Sequence, residues 1–173
     1  RIELPLEKEI IVVDDGSSDG TSALLAVHEK NLAKLYSSPV NIGKGAAIRI
    51  GLSFAKGDII LLQDAHLETN PDEYLQLLQP ILDRKTSVVY GSRFLKRNDK
   101  IPFFRRLANG GLTFVTNILF RTRLTDMETA YKIFTKEVSE KLKLRANRFD
   151  IEPEITARIC QAGYKIIEVP ISY

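Results

Sequence analysis

Acidic and basic residues capable of binding a metal and phosphates stand just after three apolar runs of the sequence. Asp14 and Asp15 follow the first run, Asp64 follows the second, and Arg93 stands three residues after the third. Such runs, each ended by a polar turn, are typical of buried parallel strands. Because ligands of open α/β sheets bind beyond the carboxyl ends of the strands, we expect these four side chains to contribute to one site.

The turn after the second apolar run carries a candidate metal site, formed by Asp64, His66 and Glu68. A strand end followed by a tight turn can present these three positions together. A divalent cation that is bound to a diphosphate needs only one or two hard oxygen ligands from the protein. The segment therefore predicts a metal-diphosphate site, and an acidic turn before a helix is the alternative interpretation.

A second phosphate-binding feature is the pair of glycines around Lys44 at the predicted start of a helix. Gly43 and Gly45 would let backbone N–H groups approach an anion at the helix N-terminus. The segment lacks the ending of a P-loop and the third glycine of a dinucleotide-binding motif. Taken alone it is equally well interpreted as a plain turn.

Predicted strands and helices alternate along the chain, which indicates an α/β fold with a mostly parallel sheet. Strands are predicted at 10–13, 58–63, 87–90, 131–134 and 164–169. Helices are predicted at about 21–35, 43–57, 70–83, 105–120, 136–142 and 153–162. The apolar residues of the fourth helix cover a broad face, with arginines at both ends. Burial of that face in the core and contact with a membrane are both open interpretations.

The composition is that of a single globular domain over residues 1–173, with 44% hydrophobic and 27% charged residues. No apolar run reaches the roughly 18 residues that span a bilayer, and no signal-peptide pattern is present. Cys160 is expected to be a buried or half-buried helix residue, and a single cysteine weakly favours the cytoplasm, or the inner face of a membrane. The net charge of +3 predicts a mixed surface or a basic face toward phosphates or an anionic membrane, and does not indicate a nucleic-acid partner.

Taken in order, the sequence motifs are more specific than any one of them. They are VDDGSSDGT at 13–21, NIGKGAA at 41–47, GD at 57–58, QDAHLE at 63–68, GSRF at 91–94, TDMETAYK at 125–132, NRF to PEI at 147–155, and GY to EVPISY at 163–173. In this order they resemble glycosyltransferase family 2, and most of all its dolichyl- or polyprenyl-phosphate mannosyl- and glucosyltransferases.

The resemblance implies a GT-A fold, a Rossmann-like three-layer sandwich, and inverting transfer of a hexose from a nucleoside-diphosphate sugar to a lipid phosphate. The donor would be of the GDP-mannose or UDP-glucose type. Asp15 would hydrogen-bond the nucleobase with Asp14 beside it, and Gly43 and Lys44 would lie near the nucleotide with Asp64.

The metal motif departs from the family, which usually has Asp-Ala-Asp where this chain has Asp64-Ala65-His66. By the resemblance Asp64, His66 and Glu68 would hold Mg²⁺ or Mn²⁺ on the diphosphate. Because imidazole is a poorer ligand for Mg²⁺ than for Mn²⁺, His66 predicts a preference for Mn²⁺.

On the acceptor side the resemblance assigns Arg93 and either Arg105 or Arg106 to the acceptor phosphate, and Asp126 to the neighbourhood of the reacting sugar. A lipid phosphate is already an anion, so it needs arginines to hold it in line more than a base. Asp126 would be essential as a base mainly if the acceptor were a sugar hydroxyl. A structural role for Asp126, as a cap or as a partner of Lys132, is the alternative.

Members of the family usually begin with a strand and helix that this sequence is predicted to lack. A missing strand predicts an open sheet edge and hence self-association into a homo-oligomer. Two further interpretations of the function stay open. One is a transferase of the same fold that acts on a saccharide hydroxyl. The other is a catalytically silent module that binds a nucleotide sugar, favoured by His66.

Overall fold

The structure is a computed structural model that describes residues 6–65, 70–96 and 101–172. Within these ranges the strands are β1 (Ile11–Asp14), β2 (Lys34–Ser37), β3 (Ile59–Leu62), β4 (Val88–Ser92), β5 (Lys132–Thr135) and β6 (Ile166–Pro170). The helices are α1 (Thr21–His28), α2 (Lys44–Phe54), α3 (Tyr74–Leu82), α4 (Phe103–Phe120), α5 (Lys136–Lys141) and α6 (Ile151–Gln161). Short 3₁₀ turns follow α1 and precede α3.

The larger sheet has the strand order β3-β5-β4-β6, and β1 pairs with β2 in a separate parallel pair. Strands β4 and β6 are parallel, whereas β5 is antiparallel to both β3 and β4. Three of these four strands therefore run in one direction, which agrees with the predicted mostly parallel sheet.

The reversed direction of β5 decides where the loop before it lies. Lys132, the first residue of β5, pairs with Leu62 at the end of β3 and with Tyr90 on β4. The amide of Gly91 donates to the carbonyl of Tyr131 at 2.9 Å. The loop at 121–131 is thus held at the edge of the sheet where β3 and β4 end, which is the edge predicted to bind ligands.

Helices cover both faces of the sheet, as successive residues of each strand point to opposite sides. On one face α5 and α6 pack against the sheet, through a cluster of buried residues: Ile60, Val88, Tyr90, Phe134, Val138, Leu142, Ile151, Ile155 and Ile159. On the other face α3 packs in a second cluster: Leu77, Leu78, Ile81, Val89, Tyr131, Ile133 and Ile171. The result is the predicted three-layer arrangement. Cys160 lies half-buried on α6, as predicted.

The prediction of one helix over 21–35 is wrong in its second half. Helix α1 ends at His28, and residues 34–37 form β2 beside β1. None of the eight residues of α1, all of which the structure describes, is buried, and Leu24 and Val27 are exposed. Without a buried face the helix gains little from growing longer, whereas the backbone of 34–37 is satisfied by pairing with β1.

Helix α4 turns its polar side chains inward and its apolar side chains outward. Asn109, Thr113 and Thr116 are buried and spaced at helical intervals. The large apolar residues are 49–81% exposed: Phe103, Phe104, Leu107, Leu112, Phe114, Val115, Ile118 and Leu119. Burial of this face in the core, one of the two interpretations of the sequence, is therefore wrong. Among the described residues, no helix has both the length and the hydrophobicity that crossing a membrane requires.

Candidate active site

Asp15 fixes the loop that precedes α2. Its carboxylate accepts hydrogen bonds from the amides of Ile42 at 2.6 Å and of Gly43 at 3.0 Å. Gly43 has a φ of +95°, and a Cβ atom there would lie 2.3 Å from the carbonyl oxygen of Asn147. The amide of Ala46 donates to that same oxygen at 3.1 Å. The glycines around Lys44 thus serve close packing against residues 146–147, and two of the amides at this helix start already have acceptors in the protein.

Asp14 anchors the loop after β1. It is 4% exposed and accepts hydrogen bonds from the amide of Ser17 at 3.1 Å and from the hydroxyl of Ser22. The hydrogen bonds from Ser17 and Ser22 lower the pKa of Asp14 below its ordinary value. The two aspartates at the carboxyl end of β1 therefore shape neighbouring loops, with Asp15 at the loop that carries Lys44.

Lys44 and Asp64, both predicted to lie near a nucleotide, are in contact. The ammonium of Lys44 lies 2.7 Å from Oδ2 of Asp64 and 2.6 Å from Oε1 of Glu152. The second oxygen of Glu152 pairs with the ammonium of Lys132, which also donates to the carbonyls of Met127 at 3.0 Å and Thr129 at 2.6 Å. Charges of alternating sign thus run from the fully buried Lys132 to the half-exposed Asp64.

Burial and charge act against each other in this chain of ion pairs. Burial alone would raise the pKa of Glu152, but the ammonium groups of Lys132 and Lys44 lower it below its ordinary value. Burial alone would lower the pKa of Lys44, but the carboxylates of Glu152 and Asp64 raise it. Lys44 therefore stays positively charged at the edge of the sheet, where an anionic ligand would meet it.

Glu152 was not predicted as a site residue, although it lies within the sequence motif at 147–155. A glutamate in a helix is usually exposed, yet Glu152 shares the buried face of α6 with Ile155, Thr156 and Ile159 at spacings of three, four and seven residues. That spacing is the signal that could have found it.

Arg93, predicted to bind the acceptor phosphate, and Asp126, predicted to lie near the reacting sugar, form a bidentate ion pair. Nε of Arg93 lies 2.7 Å from Oδ2 of Asp126, and Nη2 lies 2.8 Å from Oδ1. The amide of Arg93 also donates to Oδ2 at 3.1 Å. Asp126 is fully buried and pairs with Arg93, so the alternative pairing of Asp126 with Lys132 is wrong.

The loop that carries Asp126 is held from two sides. The carboxylate of Glu168 on β6 accepts hydrogen bonds from the amides of Thr125 and Asp126, at 2.8 and 2.9 Å. Burial raises the pKa of Glu168, a residue that the sequence analysis also missed. From α4, the side chain of Thr113 accepts a hydrogen bond from the amide of Met127 at 3.1 Å. These contacts fix the carboxylate that orients Arg93.

Arg106 lies in the exposed first turn of α4, one turn before Asn109. The side chain of Asn109 accepts a hydrogen bond from the amide of Glu128 at 3.3 Å. Since residues three apart share one side of a helix, Arg106 projects near the loop at 125–131. Its role at the acceptor phosphate, beside that of Arg93, stays a prediction.

Of the three predicted metal ligands, Asp64 lies in the described part of the chain, whereas His66 and Glu68 lie outside it. Across 6–65, 70–96 and 101–172, no group of three or more His, Cys, Asp or Glu side chains is arranged to hold a metal ion. The side chain of Asp64 is 31% exposed, and its carboxylate is a hard oxygen ligand of the kind that Mg²⁺ and Mn²⁺ take. The residue present therefore fits a divalent cation.

Comparison with protein families places a match over residues 2–143, to the family described as glycosyl transferase family 2. An uncharacterized protein of Methanocaldococcus jannaschii is 30% identical over 171 residues, which cover 95% of this chain and 69% of the relative. A dolichyl-phosphate beta-glucosyltransferase, ALG5A of Trichomonas vaginalis, is 29% identical over 173 residues, with 95% of this chain covered and 54% of the relative. The chain thus spans about half the length of that transferase.

Among solved structures, the crystal structure of glucosyl-3-phosphoglycerate synthase from Mycobacterium tuberculosis is similar with a TM-score of 0.71 and 19% sequence identity. The match covers 94% of this chain and 58% of the synthase, which was crystallised with Mn²⁺, uridine diphosphate and glucosyl-3-phosphoglycerate. At this identity the likeness concerns the fold, which is the predicted GT-A fold.

Proposed function

The chain belongs to glycosyl transferase family 2, and we propose that it forms the donor-binding core of an inverting hexosyltransferase that acts on a polyprenyl or dolichyl phosphate. One observation carries the proposal. The antiparallel β5 brings the loop of Asp126 to the sheet edge where Asp64 and Lys44 also lie. A cationic group for the donor and one for the acceptor therefore share a single edge.

On the donor side, Lys44 and Asp64 would meet the diphosphate. A divalent cation bound by Asp64, together with His66 and Glu68, would offset the charge that builds up on the leaving diphosphate. Glu152 holds the ammonium of Lys44 within 2.7 Å of Asp64, so lysine and metal would act on the same phosphates.

The donor we propose is UDP-glucose rather than GDP-mannose, with Mn²⁺ as the cation. The transferase of Trichomonas vaginalis is named for glucosyl transfer, and the mycobacterial synthase was crystallised with uridine diphosphate and Mn²⁺. His66 also favours Mn²⁺ over Mg²⁺, because imidazole is a poorer ligand for Mg²⁺ than for Mn²⁺.

On the acceptor side, Arg93 would bind the phosphate of the lipid. Asp126 holds the guanidinium in one orientation through two hydrogen bonds, which favours in-line attack by an anionic nucleophile. Asp126 is fully buried, and both of its carboxylate oxygens already accept hydrogen bonds from Arg93. This arrangement favours a phosphate acceptor over a hydroxyl acceptor, because a hydroxyl needs a base.

The exposed face of α4 supports a lipid acceptor. Its large apolar side chains form a patch of the kind that marks interaction surfaces. The helix carries no acidic residue, and exposed arginines stand at both ends: Arg105, Arg106, Arg121 and Arg123. Since arginines near an apolar helix face attract anionic lipids, we propose that α4 rests on an anionic membrane surface.

The product of the reaction tests this function. Labelled UDP-glucose or GDP-mannose is incubated with the protein, Mn²⁺ and polyprenyl phosphate, and the mixture is extracted with organic solvent. We expect label from UDP-glucose in the organic phase. Label confined to a water-soluble product would instead identify a hydroxyl acceptor, and donor binding without any product would identify a silent binding module.

A further inference from the structure

The carboxylate of Glu128 has no part in the contacts described so far. It lies on the loop between α4 and β5, two residues after Asp126 and four before Lys132. Its backbone amide is held by Asn109. Along this loop, Glu128 thus stands between Asp126, which belongs to the acceptor pair, and Lys132, which belongs to the chain of ion pairs that leads to Asp64.

Glu128 differs from the other carboxylates of this region in its hydrogen bonding. Asp126, Glu152 and Glu168 each accept hydrogen bonds within the protein. Oε1 of Glu128 is buried, and it has no hydrogen-bond partner among the described residues. Because buried polar atoms in proteins are nearly always paired, an unpaired carboxylate oxygen here calls for a partner beyond the described residues.

Both positively and negatively charged residues affect the pKa of Glu128. Burial raises its pKa above the ordinary value, the ammonium groups of Lys132 and Lys44 oppose that rise, and the carboxylates of Glu152 and Asp126 add to it. Glu128 is therefore within electrostatic reach of Lys44 on the donor side and of Asp126 on the acceptor side. A carboxylate in this position would repel a phosphate group, whereas a neutral hydrogen-bond donor such as a hydroxyl suits it.

We infer that Glu128 accepts a hydrogen bond from a hydroxyl group of the transferred hexose. The inference rests on the proposed function, since the hexose must lie between the diphosphate and the acceptor phosphate. Hydroxyl groups are neutral donors, which suits an unpaired carboxylate oxygen. Glu128 would thus help to select the sugar, whereas Lys44 and Asp64 would bind the diphosphate that all donors share.

The test compares a nucleotide sugar with its own nucleoside diphosphate. UDP and UDP-glucose are titrated, each with Mn²⁺, into the wild type and the variants Glu128→Gln and Glu128→Leu. Glu137→Gln, an exposed residue of α5 paired with Lys141, is the matched control. We expect every variant to bind UDP like the wild type. The extra affinity for UDP-glucose should fall about tenfold in Glu128→Leu, less in Glu128→Gln, and not in the control.

A structural role for Glu128 would give a different pattern, because it would lower the affinity for UDP and UDP-glucose equally and lower the melting temperature. That pattern, or an unchanged preference for UDP-glucose in Glu128→Leu, would overturn the inference and leave the proposed function standing. Failure of the wild type to bind either ligand would instead overturn the proposed function and the inference together.

Discussion

At the scale of single residues, the site depends on charges that are buried together. Lys132 is fully buried and Glu152 nearly so, and their contact extends through Lys44 to Asp64. A buried ion pair need not stabilise a fold more than apolar residues would, but the loss of one partner leaves an uncompensated charge. The pairing explains why a lysine is tolerated at the start of a central strand.

Replacement of Glu152 by glutamine should destabilise the protein strongly. The ammonium of Lys132 would lose its carboxylate while it stays buried, so we expect the free energy of unfolding to fall by about 3–5 kcal/mol near neutral pH. Urea denaturation measures the change. Glu137→Gln removes an exposed pair on α5 and should change stability by less than about 1 kcal/mol.

The difference in the free energy of unfolding between wild type and Glu152→Gln should shrink as the pH falls. The pKa of Glu152 is lowered in the folded state, so its contribution is fully present above the unfolded value near 4.5. It is lost as the pH falls through that value and toward the folded pKa. A difference that instead grows with acidification would contradict the assignment.

At the scale of elements, α4 and β5 build the acceptor side together. The loop between them presents backbone amides that need acceptors, and the buried polar residues of α4 supply them. That requirement explains why the helix turns Asn109 and Thr113 inward while its apolar residues face outward. A hydrophobic pattern gives the period of a helix, but it does not say which face the rest of the chain covers.

Two isosteric exchanges on α4 test this orientation. Loss of an inward-facing hydroxyl should destabilise the protein, whereas replacement of an outward-facing apolar residue by a polar one should have little effect. Thr113→Val removes the acceptor of the Met127 amide, and we expect the free energy of unfolding to fall by about 1–3 kcal/mol. Val115→Thr places a hydroxyl on the exposed face and should change it by less than about 0.5 kcal/mol. Chemical denaturation of both variants checks this, and equal losses would contradict the orientation of α4.

The exposed face of α4 should govern membrane binding. Ile118→Glu and Leu119→Glu place carboxylates on the apolar patch, where they oppose both burial in lipid and attraction to anionic headgroups. In co-sedimentation with vesicles that contain phosphatidylglycerol, we expect the wild type to bind and these variants to lose most of that binding, with unchanged melting temperatures. Ser139→Glu, on α5, is the control with the same added charge.

Two results would count against membrane binding by α4. Wild type and variants could bind the vesicles equally, in which case another surface meets the lipid. The wild type could also form a dimer in solution that Ile118→Glu dissociates, in which case a second copy of the chain covers the patch. Analytical ultracentrifugation distinguishes the second result.

At the scale of the whole molecule, the order of motifs predicts the GT-A fold, the three layers and the sheet edge that carries the charged residues. The direction of β5 could not be predicted, because a strand has the same alternation when read either way. Its reversal appears only in its antiparallel pairing with β3 and β4, whose residues are distant from it in sequence. The role of Glu168 was hidden for a similar reason, since its partners at 125–126 are more than forty residues away in sequence.

The central claim is that this edge binds the diphosphate of a nucleotide sugar through Asp64 and a divalent cation. Calorimetric titration of UDP-glucose, with and without Mn²⁺, into wild type and Asp64→Asn tests it most directly. We predict that binding requires the cation, is tighter with Mn²⁺ than with Mg²⁺, and weakens at least about tenfold in Asp64→Asn. Binding that is equally tight without a cation, or that is unchanged in Asp64→Asn, would contradict the account.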